Sequence, residues 1–173
     1  MSLSFFLYSE LSLKEASFEF FDNEGTLLCQ ARLDPFTGNI DNFFRDMSLI
    51  PFTLSVKDVQ GEEIFSLHKK RGLPNSRYNY SLIYRSGRVE IIEGRSFELP
   101  NLVIKYRDRQ IQIQGQIMNL NFQLKDQDRI LGQIKGRRLD HGKLYQITTL
   151  EEGLPLEVYF AAALVLDNLY HDH

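Results

Sequence analysis

The chain has 173 residues, a single cysteine, no tryptophan and a formal net charge of −3. One domain of this length can bury a full core, and a lone cysteine excludes an intrachain disulfide or a thiolate metal cluster. Charge is uneven: residues 1–66 hold four basic and eleven acidic side chains, residues 67–149 sixteen and seven, and residues 150–173 none and five. Such asymmetry fits an anion-binding face, or acidic strands set beside basic ones.

Residues 1–15 carry a short Phe5-Phe6-Leu7 run without a basic lead or a long apolar core. They do not read as a secretory signal, and the reducing cytoplasm is the expected compartment. From residue 17 to 149 the pattern is short alternating segments split by polar turns, the signal of an antiparallel meander. Phe18 and Phe20 lead to the turn Asp22-Asn23-Glu24-Gly25, and Thr26 to Arg32 returns. Residues 33–51 read as a loop with a short helix at Asp41-Asn42-Phe43-Phe44-Arg45-Asp46-Met47, capped by Asp41. Phe52, Leu54 and Val56 then alternate with Thr53, Ser55 and Lys57, and Asp58-Val59-Gln60-Gly61 turns into residues 63–68.

Tyr78, Tyr80, Leu82 and Tyr84 reach Arg85-Ser86-Gly87 and return through Val89 and Ile91. Leu102, Ile104 and Tyr106 end at Arg107-Asp108-Arg109. The clearest strand follows, residues 110–117, with glutamine on one face and isoleucine on the other. Leu120, Phe122 and Leu124 turn at Asp126-Gln127-Asp128 into residues 130–135, and Arg138-Leu139-Asp140-His141-Gly142 turns into residues 144–149. The segments starting at Phe20, Val56 and Leu124 look like three variants of one hairpin. Their irregular spacing argues against a solenoid.

The chain closes on Leu154-Pro155-Leu156-Glu157-Val158-Tyr159-Phe160-Ala161-Ala162-Ala163-Leu164-Val165-Leu166-Asp167-Asn168-Leu169-Tyr170, a helix apolar nearly all the way round. Its unbroken run, residues 158–166, is short of the ~20 residues that cross a membrane. A helix apolar on every face is buried in protein. Pro155 suits the first turn, and Glu151, Glu152 and Glu157 suit the positive end of the helix dipole. About twelve strands closed into a barrel leave a wide lumen, wider than side chains alone can fill. A helix of this length spans ~22 Å, close to a strand of five or six residues. The expected fold is therefore mainly β: one domain over residues 1–173, an antiparallel closed barrel of about twelve strands around a central hydrophobic C-terminal helix.

The turn-rich barrel followed by this helix resembles the tubby C-terminal-like superfamily, which includes LURP-one-related proteins, phospholipid scramblases and small bacterial relatives. The aliphatic-aliphatic-Asp ending and the overall length are most similar to the small bacterial members. The resemblance implies a twelve-stranded barrel around the helix and, by analogy with tubby domains, binding of anionic lipid headgroups through basic surface residues. It carries no particular residue over to this chain.

No phosphate loop, nucleophile elbow or zinc motif occurs, so neither an enzyme nor a cofactor is implied. A plugged barrel also lacks the deep pocket of small-molecule enzymes. Cys29 reads as apolar filler, and His171-Asp172-His173 as a fraying tail rather than a metal site. Two basic clusters remain: Lys69, Lys70 and Arg71 before Gly72-Leu73-Pro74-Asn75, and Lys135, Arg137, Arg138 and Lys143 with His141 around another turn. If both lie at one end of the barrel they suit an anionic membrane surface, at the inner face of the membrane. A protein partner without lipid binding is the alternative. The acidic net charge, without interleaved basic and aromatic residues, argues against nucleic acid.

Overall fold

The computed structural model describes residues 2–11, 16–33, 52–70, 79–93 and 100–170. The helix expected after Asp41, Arg71 and the His171-Asp172-His173 tail lie outside the described residues. Twelve strands follow in order: β1 (Leu3–Leu11), β2 (Ala16–Phe21), β3 (Leu27–Arg32), β4 (Phe52–Asp58), β5 (Glu63–Lys70) and β6 (Asn79–Tyr84), then β7 (Gly87–Glu93), β8 (Leu102–Tyr106), β9 (Arg109–Gln116), β10 (Asn121–Asp126), β11 (Arg129–Leu139) and β12 (Gly142–Thr149). Each pairs antiparallel with its sequence neighbours. β1 also pairs with β12, from Leu3↔Thr149 to Ser9↔Lys143, so the sheet closes into a barrel.

The alternation seen in the sequence is the inside–outside alternation of this wall. Along β9, Ile111 and Ile113 are buried while Gln110, Gln112 and Gln114 face out. The one helix among the described residues, α1 (Leu156–Leu169), fills the lumen. Residues 158–167 are all buried, and α1 packs against β12 and β1 on one side and β5 and β6 on the other. Phe160 stacks on Phe20 at 4.2 Å and meets Phe5 edge-on at 5.6 Å, while the Tyr159 hydroxyl donates to the Leu131 carbonyl at 2.9 Å. Pro155 stands one residue before the helix, at the N-cap with ψ 147°, rather than inside its first turn.

β1 is the strand the sequence reading did not assign. Its lumen-facing positions are Phe5, Leu7 and Ser9, and the buried serine breaks the apolar alternation. Two of the three look-alike hairpins share one construction. Asp22 Oδ1 accepts the backbone N–H groups of Glu24 and Thr26, at 2.9 and 2.8 Å. Asp58 Oδ1 does the same for Gln60 and Glu62, at 2.8 and 2.9 Å. Gly25 and Gly61 take φ of 84° and 86°, a region open to glycine without a Cβ clash. The third differs: Gln127 and Asp128 form a two-residue turn with Gln127 at φ 53°, like Arg107-Asp108 with Arg107 at φ 53°. The shared element there is Asp-Arg, not Asp-x-x-Gly.

Antiparallel closure gives the barrel two unlike rims. The connections after even-numbered strands, such as residues 22–26, 85–86 and 127–128, are short and share one rim with the start of α1. The odd-numbered strands end at the other rim, together with the end of α1.

Candidate functional site

The rim at the carboxyl end of α1 holds Lys69 and Lys70 of the first basic cluster and the whole of the second. The end of β5 and the β11–β12 turn stand on it, and the ring order sets the β5–β6 and β11–β12 pairs six strands apart in either direction. They share an end and stand on opposite walls.

Strand parity divides the candidate cations further. Lys69 follows Phe65 and Leu67 on the lumenal face and is 2 % exposed, and Lys143 precedes Tyr145 and Ile147 on that face and is 5 % exposed. Neither is a surface headgroup ligand, which corrects their sequence assignment. Both serve the end of α1. Lys69 Nζ donates to Asn168 Oδ1 at 2.9 Å, an oxygen that also accepts from the Tyr80 hydroxyl at 2.8 Å. The Lys69 ammonium lies 5.7 Å from the Phe52 ring centroid and 5.8 Å from that of Tyr80, within cation–π range. Lys143 Nζ donates to the Tyr170 carbonyl at 3.0 Å and stands 3.9 Å from Asp167 Oδ1.

Asp167 is the centre of this clamp. It is 2 % exposed, and its carboxylate accepts from Ser9 Oγ at 2.5 Å and from the Tyr145 hydroxyl at 2.9 Å. A buried carboxylate requires such partners. Burial first, and then the Asp167 charge, pushes the Tyr145 phenol well above its ordinary range. The last turn of α1 holds no basic residue of its own. The wall supplies cations to the negative end of the helix dipole instead. The sequence signal for this clamp was the lone aspartate ending a run of buried apolar residues.

The other candidates remain outside. Lys70, Lys135, Arg137 and Arg138 are exposed. Lys135 and Arg137 share a parity opposite to buried Ile134 and project from the outer wall, whereas Arg138 pairs with Lys143 on the lumenal side of the rim. His141 is exposed in the β11–β12 turn. Turns at the opposite rim expose Glu24, Glu62, Asp108, Asp128, Glu151 and Glu152 against Arg85, Arg107 and Arg129. Among the described residues carboxylates outnumber cations in the turns of that rim, whereas Lys70, Arg137 and Arg138 outnumber Asp140 at the other.

Among the described residues no group of three or more His, Cys, Asp or Glu side chains stands ready to hold a metal ion. Cys29 is buried, and burial, with the Glu157 and Asp58 carboxylates adding to it, pushes its thiol up to about 12, which leaves it unreactive. On the outer wall His68 lies 3.0 Å from both Thr53 Oγ1 and Ser66 Oγ. That trio resembles a nucleophile–base pair, yet it sits on a convex wall and has a hydroxyl, not a carboxylate, behind the imidazole. It is a cross-strand polar cluster. A groove of about 480 Å³ between β3 and β4 is lined by Gln30, Arg32, Ser55 and Lys57 and reaches the acidic rim at Asp58. No helix among the described residues is long and apolar enough to cross a membrane. Comparison of the chain with known proteins finds no matching family model and no matching curated relative.

Proposed function

We propose that this protein is a non-enzymatic docking module whose basic rim binds anionic lipid headgroups at the cytoplasmic face of a membrane, as a small bacterial member of the tubby C-terminal-like superfamily. The observation that carries this reading is the separation of charge among the described residues: exposed Lys70, Lys135, Arg137 and Arg138, with Asp140 as the exposed carboxylate beside them, stand at one rim and the carboxylate-rich turns at the other. An anionic surface attracts the first end and repels the second, so it orients the molecule as well as holding it. Each cation near such a surface contributes about 1 kcal/mol, attenuated beyond a Debye length of roughly 8 Å at physiological salt. The barrel-around-helix architecture supports the family reading, and the wide spacing of the two basic turns suits a flat partner better than a single small ligand.

Co-sedimentation with vesicles tests this. Binding to phosphatidylcholine–phosphatidylserine vesicles, weakening as salt rises, is expected, with none to phosphatidylcholine alone. Equal binding to both, or binding to neither, overturns it. The alternative, a protein-interaction or scaffold domain, draws on the same separation of charge, because oppositely charged ends favour head-to-tail contact between copies. Light scattering at low salt separates them: a monomer that binds vesicles supports docking, and salt-sensitive chains of molecules without vesicle binding support the scaffold.

A further inference from the structure

We infer that the β9–β12 sector of the basic rim inserts into an anionic bilayer, with Met118 and Leu139 entering the boundary between headgroups and acyl chains while Lys135 and Arg137 hold the phosphates. This inference rests on the docking reading and adds the mode of contact and the sector that makes it. Met118 is 73 % exposed and Leu139 40 % exposed. Both belong to this rim, Met118 in the β9–β10 turn and Leu139 at the end of β11. Exposed Asp140 follows Leu139, but Lys135, Arg137 and Arg138 outnumber it, and apolar side chains beside an excess of cations are the composition that the interface of an anionic membrane accepts.

The turn is built to display Met118. Leu120 is held at φ 47°, a region that a branched side chain rarely adopts. That conformation buries Leu120, at 1 % exposed, and leaves Met118 outside. The Leu120 N–H donates to the Ile117 carbonyl at 3.0 Å, and its own carbonyl accepts from the Gly136 N–H at 2.6 Å. A Cβ at Gly136 would stand 2.8 Å from both Leu120 Cβ and the Tyr145 ring, so only glycine lets the turn sit this close to β11. Pairing of Asn121 with Lys135 sets the turn beside the outward row of Lys135, Arg137 and Leu139. Apolar side chains are exposed at the other rim too, Val59 at 65 % and Leu150 at 38 %. Their neighbours there are Asp58, Glu62, Glu151 and Glu152, which an anionic surface repels.

The absence of tryptophan makes the test direct. Met118→Trp and Val59→Trp each introduce a sole indole at an exposed position. With phosphatidylcholine–phosphatidylserine vesicles, Met118→Trp emission is expected to shift to the blue and to be quenched by brominated acyl chains, while Val59→Trp keeps its emission in water. Met118→Ser combined with Leu139→Ser is expected to weaken vesicle binding by about tenfold or more, from the apolar area no longer buried, without lowering the melting temperature. Vesicle binding with an unshifted Met118→Trp indole overturns insertion and leaves docking standing. No binding to any vesicle overturns both. A blue shift that grows with protein concentration in the absence of lipid assigns the sector to a second copy of the chain and also overturns insertion.

Discussion

The two rims of this barrel are made by one meander and solve different problems. At the rim where α1 begins, two of the turns satisfy themselves. Asp22 and Asp58 accept their own backbone N–H groups, and Thr26 is the main reason the Asp22 carboxyl stays below its ordinary range. At the rim where α1 ends, the cations are divided between two roles. Lys69 and Lys143 turn inward and hold the helix end, while Lys135 and Arg137 turn outward. A basic cluster in a strand sequence is therefore two sets, separated by parity, and only one of them is available to a partner.

Deleting residues 154–173 strikes hardest at this contrast. Val158, Phe160, Leu164, Val165 and Leu166 are buried, and at about 1.5–3 kcal/mol each their loss is on the order of 10 kcal/mol, comparable to the whole stability of a domain. The expected result is a chain without a cooperative melt by circular dichroism. A truncated protein that melts near the full-length temperature would mean that the barrel stands without its plug.

Asp167→Ala strips the carboxylate from Ser9 and Tyr145 and removes the negative charge 3.9 Å from the buried Lys143 ammonium. The expected cost is about 3–5 kcal/mol in urea unfolding. A change below about 1 kcal/mol would remove the clamp from the account of this rim.

Alkaline pH comes third. Cys29 is held at about 12 against an ordinary 9.0, and Tyr159 at about 12 against 10.0, each chiefly by burial. Both pKa values are raised on folding, so the stability they contribute is complete below pH 9 and declines as pH rises toward 12. The native state keeps protons that the unfolded chain releases. The loss from Cys29 is about 2 kcal/mol near pH 10.5. Urea melts at neutral pH and near pH 10.5 should show a smaller decline in Cys29→Ala; an equal decline would point to other groups.

Asp58→Ala removes one acceptor of two backbone N–H groups at the self-satisfied rim. It should cost about 1–2 kcal/mol and leave vesicle binding intact. The smallest effect on stability belongs to Lys135→Ala with Arg137→Ala, within about 0.5 kcal/mol of the parent because both side chains are exposed. Vesicle affinity should nevertheless fall in that pair. If the pair destabilised the fold and Asp167→Ala did not, the assignment of inner and outer cations would be reversed.

Much of this was legible from residue order. Residues 158–166 announce a buried helix, and the Gln–Ile alternation of β9 announces a wall with one wet face. Parity would also have found the inner lysines, since Lys69 keeps step with Phe65 and Leu67, and Lys143 with Tyr145 and Ile147. Their charge masked that signal, because a lysine is rarely buried without a partner. β1 was hidden for the complementary reason. Its lumenal Ser9 looks polar and surface-bound until Asp167 is seen opposite it.

Residue order was enough to set the class of structure: a period-two wall and one helix with no polar face have few ways to bury their apolar surface except around each other. The tertiary structure alone decided which cations are spent inside. That depends on where the negative end of α1 comes to rest, and sequence spacing does not encode a contact between Ser9 and Asp167, 158 residues apart. It also decided that the basic end of β5 and the basic β11–β12 turn share a rim, because barrel closure through β1 and β12 sets the direction of every strand at once.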